Sequence, residues 1–189
     1  MSGAELTAGA MVEVILRNRL DEQLAMWAAR RPGRSWLDLA ALDGHGLEDI
    51  PKARSRASRG GRDVEVRGQV VSELSFGFWR YLVASRDLTS WWIPSLHAAF
   101  PLGHADLRQR RSNVEAALQK PLYVRNRAAH HEPIHRRNWM ADVNAADELL
   151  GWTCQDSQLW DRRLNRRSRR SSPGSRCALP RSVTVPQAA

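Results

Sequence analysis

At 189 residues the chain is long enough for one domain with an ordinary buried core. Its 42% hydrophobic, 26% charged and 7% aromatic composition excludes a collagen-like chain, a disulfide-stapled miniprotein and a wholly disordered polymer. The net charge of +9, from 29 Lys+Arg against 20 Asp+Glu, suggests a polyanionic partner, but it is unevenly spread. Residues 162–189 hold eight arginines and no acid, so residues 1–161 carry 21 bases against all 20 acids, a balance of +1. Binding of a polyanion by the body must therefore rest on local clusters.

Taken in chain order, the first pattern runs from Glu5 to Arg31. Val12, Leu16, Leu20 and Leu24 repeat every four residues, Trp27 continues the stripe, and Met11 and Ile15 widen it, which predicts a helix ended by Pro32-Gly33. Trp36-Leu37 reads as a packing anchor and Asp43–Gly46 as a turn. Leu47–Ser58 reads as a short helix with Pro51 near its first turn, broken by Gly60-Gly61. A second strong helix is predicted over Val64–Ser85, with Val71, Leu74, Phe78 and Tyr81 in helical spacing and Val70 and Leu82 flanking. Its aromatic cluster, Phe76, Phe78, Trp79 and Tyr81, reads as core and not as a stacking platform.

Trp91-Trp92 leads into a predicted short helix with Pro94 in its first turn, ending at Phe100-Pro101. The next helix is expected from Ala105 toward Leu118, broken or kinked at Pro121 and resuming at Leu122 to carry Arg125 to His130. Pro133 ends it. Asn138 suits the N-cap of a helix over Met140–Leu150, and a last short helix is expected around Asp156–Leu164. No run alternates with period two, so the fold class is all-α: a helical domain over residues 5–161 and a disordered Arg-rich tail over 162–189. No repeat of solenoid length is visible.

Two cysteines, Cys154 and Cys177, make neither a disulfide framework nor a thiolate metal site. They point to a reducing compartment, with Cys154 semi-buried and Cys177 exposed. The start Met1-Ser2-Gly3-Ala4-Glu5 lacks the basic and apolar blocks of a signal peptide. Apolar runs fall far below the ~18 residues of a membrane span. The expected location is cytoplasmic, with no membrane partner.

The chemistry-bearing stretch is Val124–Arg137, with three of the six histidines and four arginines. His131-Glu132-Pro133-Ile134-His135 matches the H-E-x-x-H zinc pattern, in which both histidines must share one helical face. Pro133 defeats that geometry and no third ligand is evident, so no metal and no cofactor is expected. A bland alternative is a solvated Arg/His cluster complementing a helix C-terminus. The third reading is metal-free cleavage of RNA. Such cleavage needs an imidazole to move a proton at the 2′-hydroxyl or the leaving oxygen, and a guanidinium to hold the phosphate. Asn126 and His130 stand at i,i+4 and would share a helical face; Arg125 is ~140° around the helix from His130.

Arg125-Asn126-Arg127-Ala128-Ala129-His130-His131-Glu132-Pro133-Ile134 resembles the RN-x-x-A-H-H-E-P-I signature of Abi-like (abortive infection) proteins of the HEPN superfamily. Val12–Leu20 resembles the family's first helix motif, Gly68–Trp79 its central motif, and Trp92-Ile93-Pro94 through Phe100-Pro101 follows in the family's order. The resemblance covers roughly residues 11–160. It implies a helical bundle that dimerises, with paired R-x4-H motifs on a shared cleft. It also implies a metal-independent endoribonuclease of phage-defence or toxin–antitoxin type, with RNA as substrate and an antitoxin-like partner. Carried over, Arg125 contacts the scissile phosphate, Asn126 orients the site and His130 is the general acid/base. Arg127, His131 and Arg136 are candidate substrate-binding neighbours. The family has a further helix before its first motif, and only ten residues precede Met11, which leaves open a bundle lacking that helix. The alternatives are a non-catalytic helical module that binds RNA or nucleotide or builds a dimer interface, and an inactive family fragment.

Overall fold

The computed structural model describes the backbone of residues 3–31, 35–39, 42, 44–84, 88–129 and 139–154, and side chains for 12–31, 35–39, 42, 48–84, 89, 91–119 and 144–154. Among the described residues the secondary structure is helical, with no strand.

Helix α1 (Gly3–Ala28) is the spine. Val12, Leu16, Leu20, Leu24 and Ala28 are all buried, while Val14 and Met26 are exposed. A repeat of four on a helix of 3.6 residues per turn drifts by ~40° per step, so the buried line winds around the axis and meets several partners. Helix α1 indeed touches several of the elements that follow it in the chain.

The anchor predicted at Trp36-Leu37 is the short helix α2 (Trp36–Leu39), with both residues buried. The Trp36 indole N–H donates to Asp21 Oδ1 of α1 at 2.7 Å. The helix expected from Leu47 begins earlier: α3 spans Gly44–Ala57, so most of the predicted Asp43–Gly46 turn is its first helical turn, and Pro51 lies deeper than that turn. A first turn makes the fewest intrahelical bonds, which is why glycine is tolerated there. Ile50 and Ala53 bury against the core. Helix α3 stops where expected, because Arg59, Gly60 and Gly61 adopt φ of 49°, 72° and 84°, the left-handed region that favours glycine.

The single helix expected over Val64–Ser85 is two: α4 (Arg67–Glu73) and α5 (Phe76–Ala84). Leu74 turns extended at ψ 131°, and Ser75 caps α5, its Oγ accepting the Phe78 N–H at 3.2 Å. The break has a packing reason. On one continuous helix Phe76 would lie ~200° from Leu74, and the break separates their phases. Phe76 and Phe78 remain on opposite sides of α5, and both are buried, as are Leu74 and Trp79, so α5 is covered on more than one side.

The helix expected after Trp91-Trp92 is also corrected. A π turn covers Leu88–Trp92 and a 3-10 turn covers Leu96–Ala99. Adjacent α-helical residues sit ~100° apart. The wider π turn accommodates burial of both rings: Trp91 lies 5.1 Å from the Trp27 ring, and Trp92 stacks on Phe100 at 6.0 Å. Helix α6 (Leu107–Ala129) then runs through Pro121 without the expected break. Proline removes one helical hydrogen bond, and α6 as a whole packs along α7, α5 and α1. Helix α7 (Trp139–Thr153) closes the bundle with Ala145, Ala146, Leu149 and Leu150 turned inward. Cys154 follows it, half-buried as expected. Cys177, Asn138, the helix expected around Asp156–Leu164 and the tail 162–189 lie outside the described residues. No helix among the described residues is long and apolar enough to cross a membrane.

Candidate functional site

The stretch that carries the motif is delivered by α6, so its placement begins at that helix's N-terminus. Asp106 caps it, its Oδ1 accepting the Gln109 N–H at 2.7 Å. The Trp92 indole N–H donates to the Leu107 carbonyl at 2.7 Å, tying the first turn to the buried Trp92–Phe100 stack. Arg110 straps the preceding loop: its Nε donates to the His104 carbonyl at 2.7 Å and its guanidinium to the His97 carbonyl at 3.3 Å. Gly103 lies beneath this strap, where a Cβ would stand 3.0 Å from Arg110 Cγ. Along the helix Val114, Ala117 and Leu118 are buried, and Arg111 pairs with Glu115 on the flank at 3.1 Å.

The anchored helix continues to Ala129 and so carries Arg125, Asn126 and Arg127 in its last two turns. Position 125 is seven residues beyond buried Leu118, which places it within ~20° of the same angular position on an ideal helix. On the same ideal helix position 127 lies ~200° around from position 125. His130, His131 and Arg136 lie outside the described residues, as do Glu132, Pro133 and His135 of the H-E-x-x-H match. In the sequence they lie between Ala129, the last residue of α6, and Trp139, where α7 begins.

Sequence reading did not single out the polar knot at the other end of α6. His97 Nδ1 lies 3.0 Å from the Trp92 carbonyl, which can accept only from a protonated nitrogen. His104 Nδ1 accepts the Asp106 N–H at 3.1 Å. With Arg110 these contacts hold the loop before α6. Among the described residues no group of three or more His, Cys, Asp or Glu is placed to hold a metal ion. Among the described residues, exposed Lys52 on α3 is held above its ordinary value by the hydrogen bond and charge of Glu48. An exposed i,i+4 pair of this kind marks no site. Comparison of the chain with family models, curated proteins and solved structures finds no match.

Proposed function

We propose that the chain is a metal-independent endoribonuclease of the abortive-infection HEPN type, acting in phage defence or as a toxin. The observation that carries the reading is the RN-x-x-A-H-H-E-P-I run, begun on the last turns of α6 in a chain whose described residues are helical. The order of the other motifs supports it: the first lies on α1 and the central one spans α4 and α5.

In this reading His130 removes the proton from the ribose 2′-hydroxyl or supplies one to the departing 5′-oxygen. The 2′-oxygen bonds to phosphorus as the P–O5′ bond breaks, leaving a 2′,3′-cyclic phosphate and a 5′-hydroxyl. Arg125 holds the phosphate and offsets the charge that builds on its oxygens, and Asn126 orients the imidazole. Arg127, His131 and Arg136 bind flanking RNA. The resemblance also implies a homodimer and an antitoxin-like partner.

The test is cleavage of RNA in EDTA by wild type, His130→Ala and Arg125→Ala. Loss of a positioned acid/base is expected to slow cleavage ~10²–10⁴-fold, and loss of the phosphate arginine ~10²–10³-fold. Equal cleavage by all three proteins sinks the proposal. If RNA binding persists without cleavage and weakens with salt through the arginines alone, the non-catalytic module is the better reading.

A further inference from the structure

Most arginines of the body have an evident partner. Arg19, Arg54, Arg56, Arg67 and Arg111 each reach a carboxylate. Arg110 donates to the His97 and His104 carbonyls, and Arg31 lies over the Trp27 ring. Arg30, Arg62 and Arg108 are exposed, where water solvates the guanidinium. Arg17 on α1 and Arg80 on α5 fit none of these cases. Both are half-buried. Neither has a hydrogen bond or an ion pair among the described residues, and the Nε of each is buried without an acceptor. The Nε atoms of Arg54 and Arg111 also lack a hydrogen bond, but those guanidiniums pair with Asp38 and Glu115.

Arg17 is not unpaired for want of acids in the sequence. Glu13 and Asp21 stand at i−4 and i+4, the spacing at which an arginine and a carboxylate meet on a helix. Asp21 instead accepts the Trp36 indole N–H at 2.7 Å and faces Arg67 at 3.5 Å. The same tryptophan relates Arg80 to Arg17. Its ring lies 5.9 Å from that of Trp79, the residue before Arg80. Arg17 therefore stands one turn along α1 from the Asp21–Trp36 bond, and Arg80 follows the ring on the other side of Trp36. Helices α1 and α5 both pack against α6, which carries Arg125, Asn126 and Arg127. Taking a guanidinium out of water costs free energy unless an anion offsets it, and here the chain supplies none.

We propose that Arg17 and Arg80 hold backbone phosphates of a bound RNA strand. The inference rests on the ribonuclease reading and adds to it substrate contacts in the body of the bundle, outside the Arg125–Arg136 stretch. A planar, permanently charged guanidinium suits a phosphate, to which it can donate two parallel hydrogen bonds. The charge balance points the same way. A body with a net charge near zero can grip a polyanion only through cations that its own acids leave unpaired. Contacts to phosphate position a strand and carry no base information. The two arginines thus set affinity, and the chemical step stays with His130 and Arg125.

Fluorescence anisotropy of a labelled single-stranded oligoribonucleotide, in EDTA and over a series of KCl concentrations, tests this on the full chain. His130→Ala serves as the parent, so that the RNA stays whole. Arg17→Gln and Arg80→Gln are each expected to weaken binding about tenfold and to lower the slope of log affinity against log salt by about 0.7. Arg62→Gln, at an exposed and unpaired position, is expected to leave both nearly unchanged. A second measurement needs no substitution at either site: the RNA is expected to protect Arg17 and Arg80, and not Arg62, from phenylglyoxal, read by mass spectrometry. Three results overturn the proposal: no binding of RNA by the parent, Gln variants that lose no more affinity than Arg62→Gln, or equal phenylglyoxal labelling with and without RNA. The two readings fail separately. A chain with His130 intact that binds RNA through Arg17 and Arg80 yet does not cut it sinks the ribonuclease reading and keeps the phosphate contacts. A chain that cuts RNA with the same KM after both Gln substitutions sinks the phosphate contacts alone.

Discussion

Helices α1 and α6 pack against each other, yet they are built on different principles. Along α1 every fourth residue from Val12 to Ala28 is buried, and the pattern has no interruption. Along α6 burial is marked at Val114, Ala117 and Leu118, and the helix then runs through a proline into the Arg125-Asn126-Arg127 turn. The contrast separates two kinds of sequence signal. A period reports packing, because burial of an apolar stripe is what stabilises the helix. A motif reports chemistry, and residues kept for chemistry need not obey any period.

The sharpest way to break this contrast is to substitute one residue of each kind. On the proposed ribonuclease reading, His130→Ala is expected to remove cleavage, a loss of about 3–5 kcal/mol of transition-state stabilisation, with the thermal midpoint of unfolding unchanged. Leu20→Ala on α1 does the reverse. Leu20 has no exposed surface, so its truncation should cost about 2–5 kcal/mol in denaturant unfolding monitored by circular dichroism, with the catalytic rate of the folded fraction intact. A cleavage defect in Leu20→Ala that exceeds its unfolded fraction would erase the division.

A smaller effect is expected where α1 uses a polar residue for packing. Asp21 holds the buried Trp36 indole N–H and also faces Arg67. Asp21→Ala leaves the indole without its acceptor and should destabilise by about 1–3 kcal/mol. Asp21→Asn keeps an acceptor oxygen and should recover much of that loss, so equal destabilisation by both variants would show that the charge, not the hydrogen bond, matters. The smallest effect belongs to Ser75→Ala, which removes the α5 cap at a cost of about 0.5–2 kcal/mol in the same unfolding assay. No change there would mean that aromatic burial alone sets the break between α4 and α5.

That break shows where sequence reading ran out. Val70, Val71, Leu74 and Phe78 fit one helix as well as two, because a period is blind to a two-residue interruption. The interruption was signalled only by Ser75, a good cap residue, and by Phe76, an aromatic out of phase with the stripe. The adjacent Trp91 and Trp92 posed the same problem, and a π turn answered it. At Pro121 the local cost predicts a break or a kink, and α6 continues through it as one helix. At the candidate site the residue types and their order were legible from the chain. The structure adds that Arg125, Asn126 and Arg127 share the end of one anchored helix.

By itself the sequence determined the helical class, the buried stripe of α1, the stop at Gly60-Gly61 and the chemical character of the Arg125–Arg136 stretch. Each of these follows from local periodicity, backbone preference or side-chain chemistry. Only the tertiary structure decided where α4 gives way to α5, how both tryptophans at 91 and 92 are buried, that α6 persists through Pro121, and that Arg17 and Arg80 are half-buried without a carboxylate. These depend on which partners lie across the chain, and a single strand of sequence does not state its own neighbours.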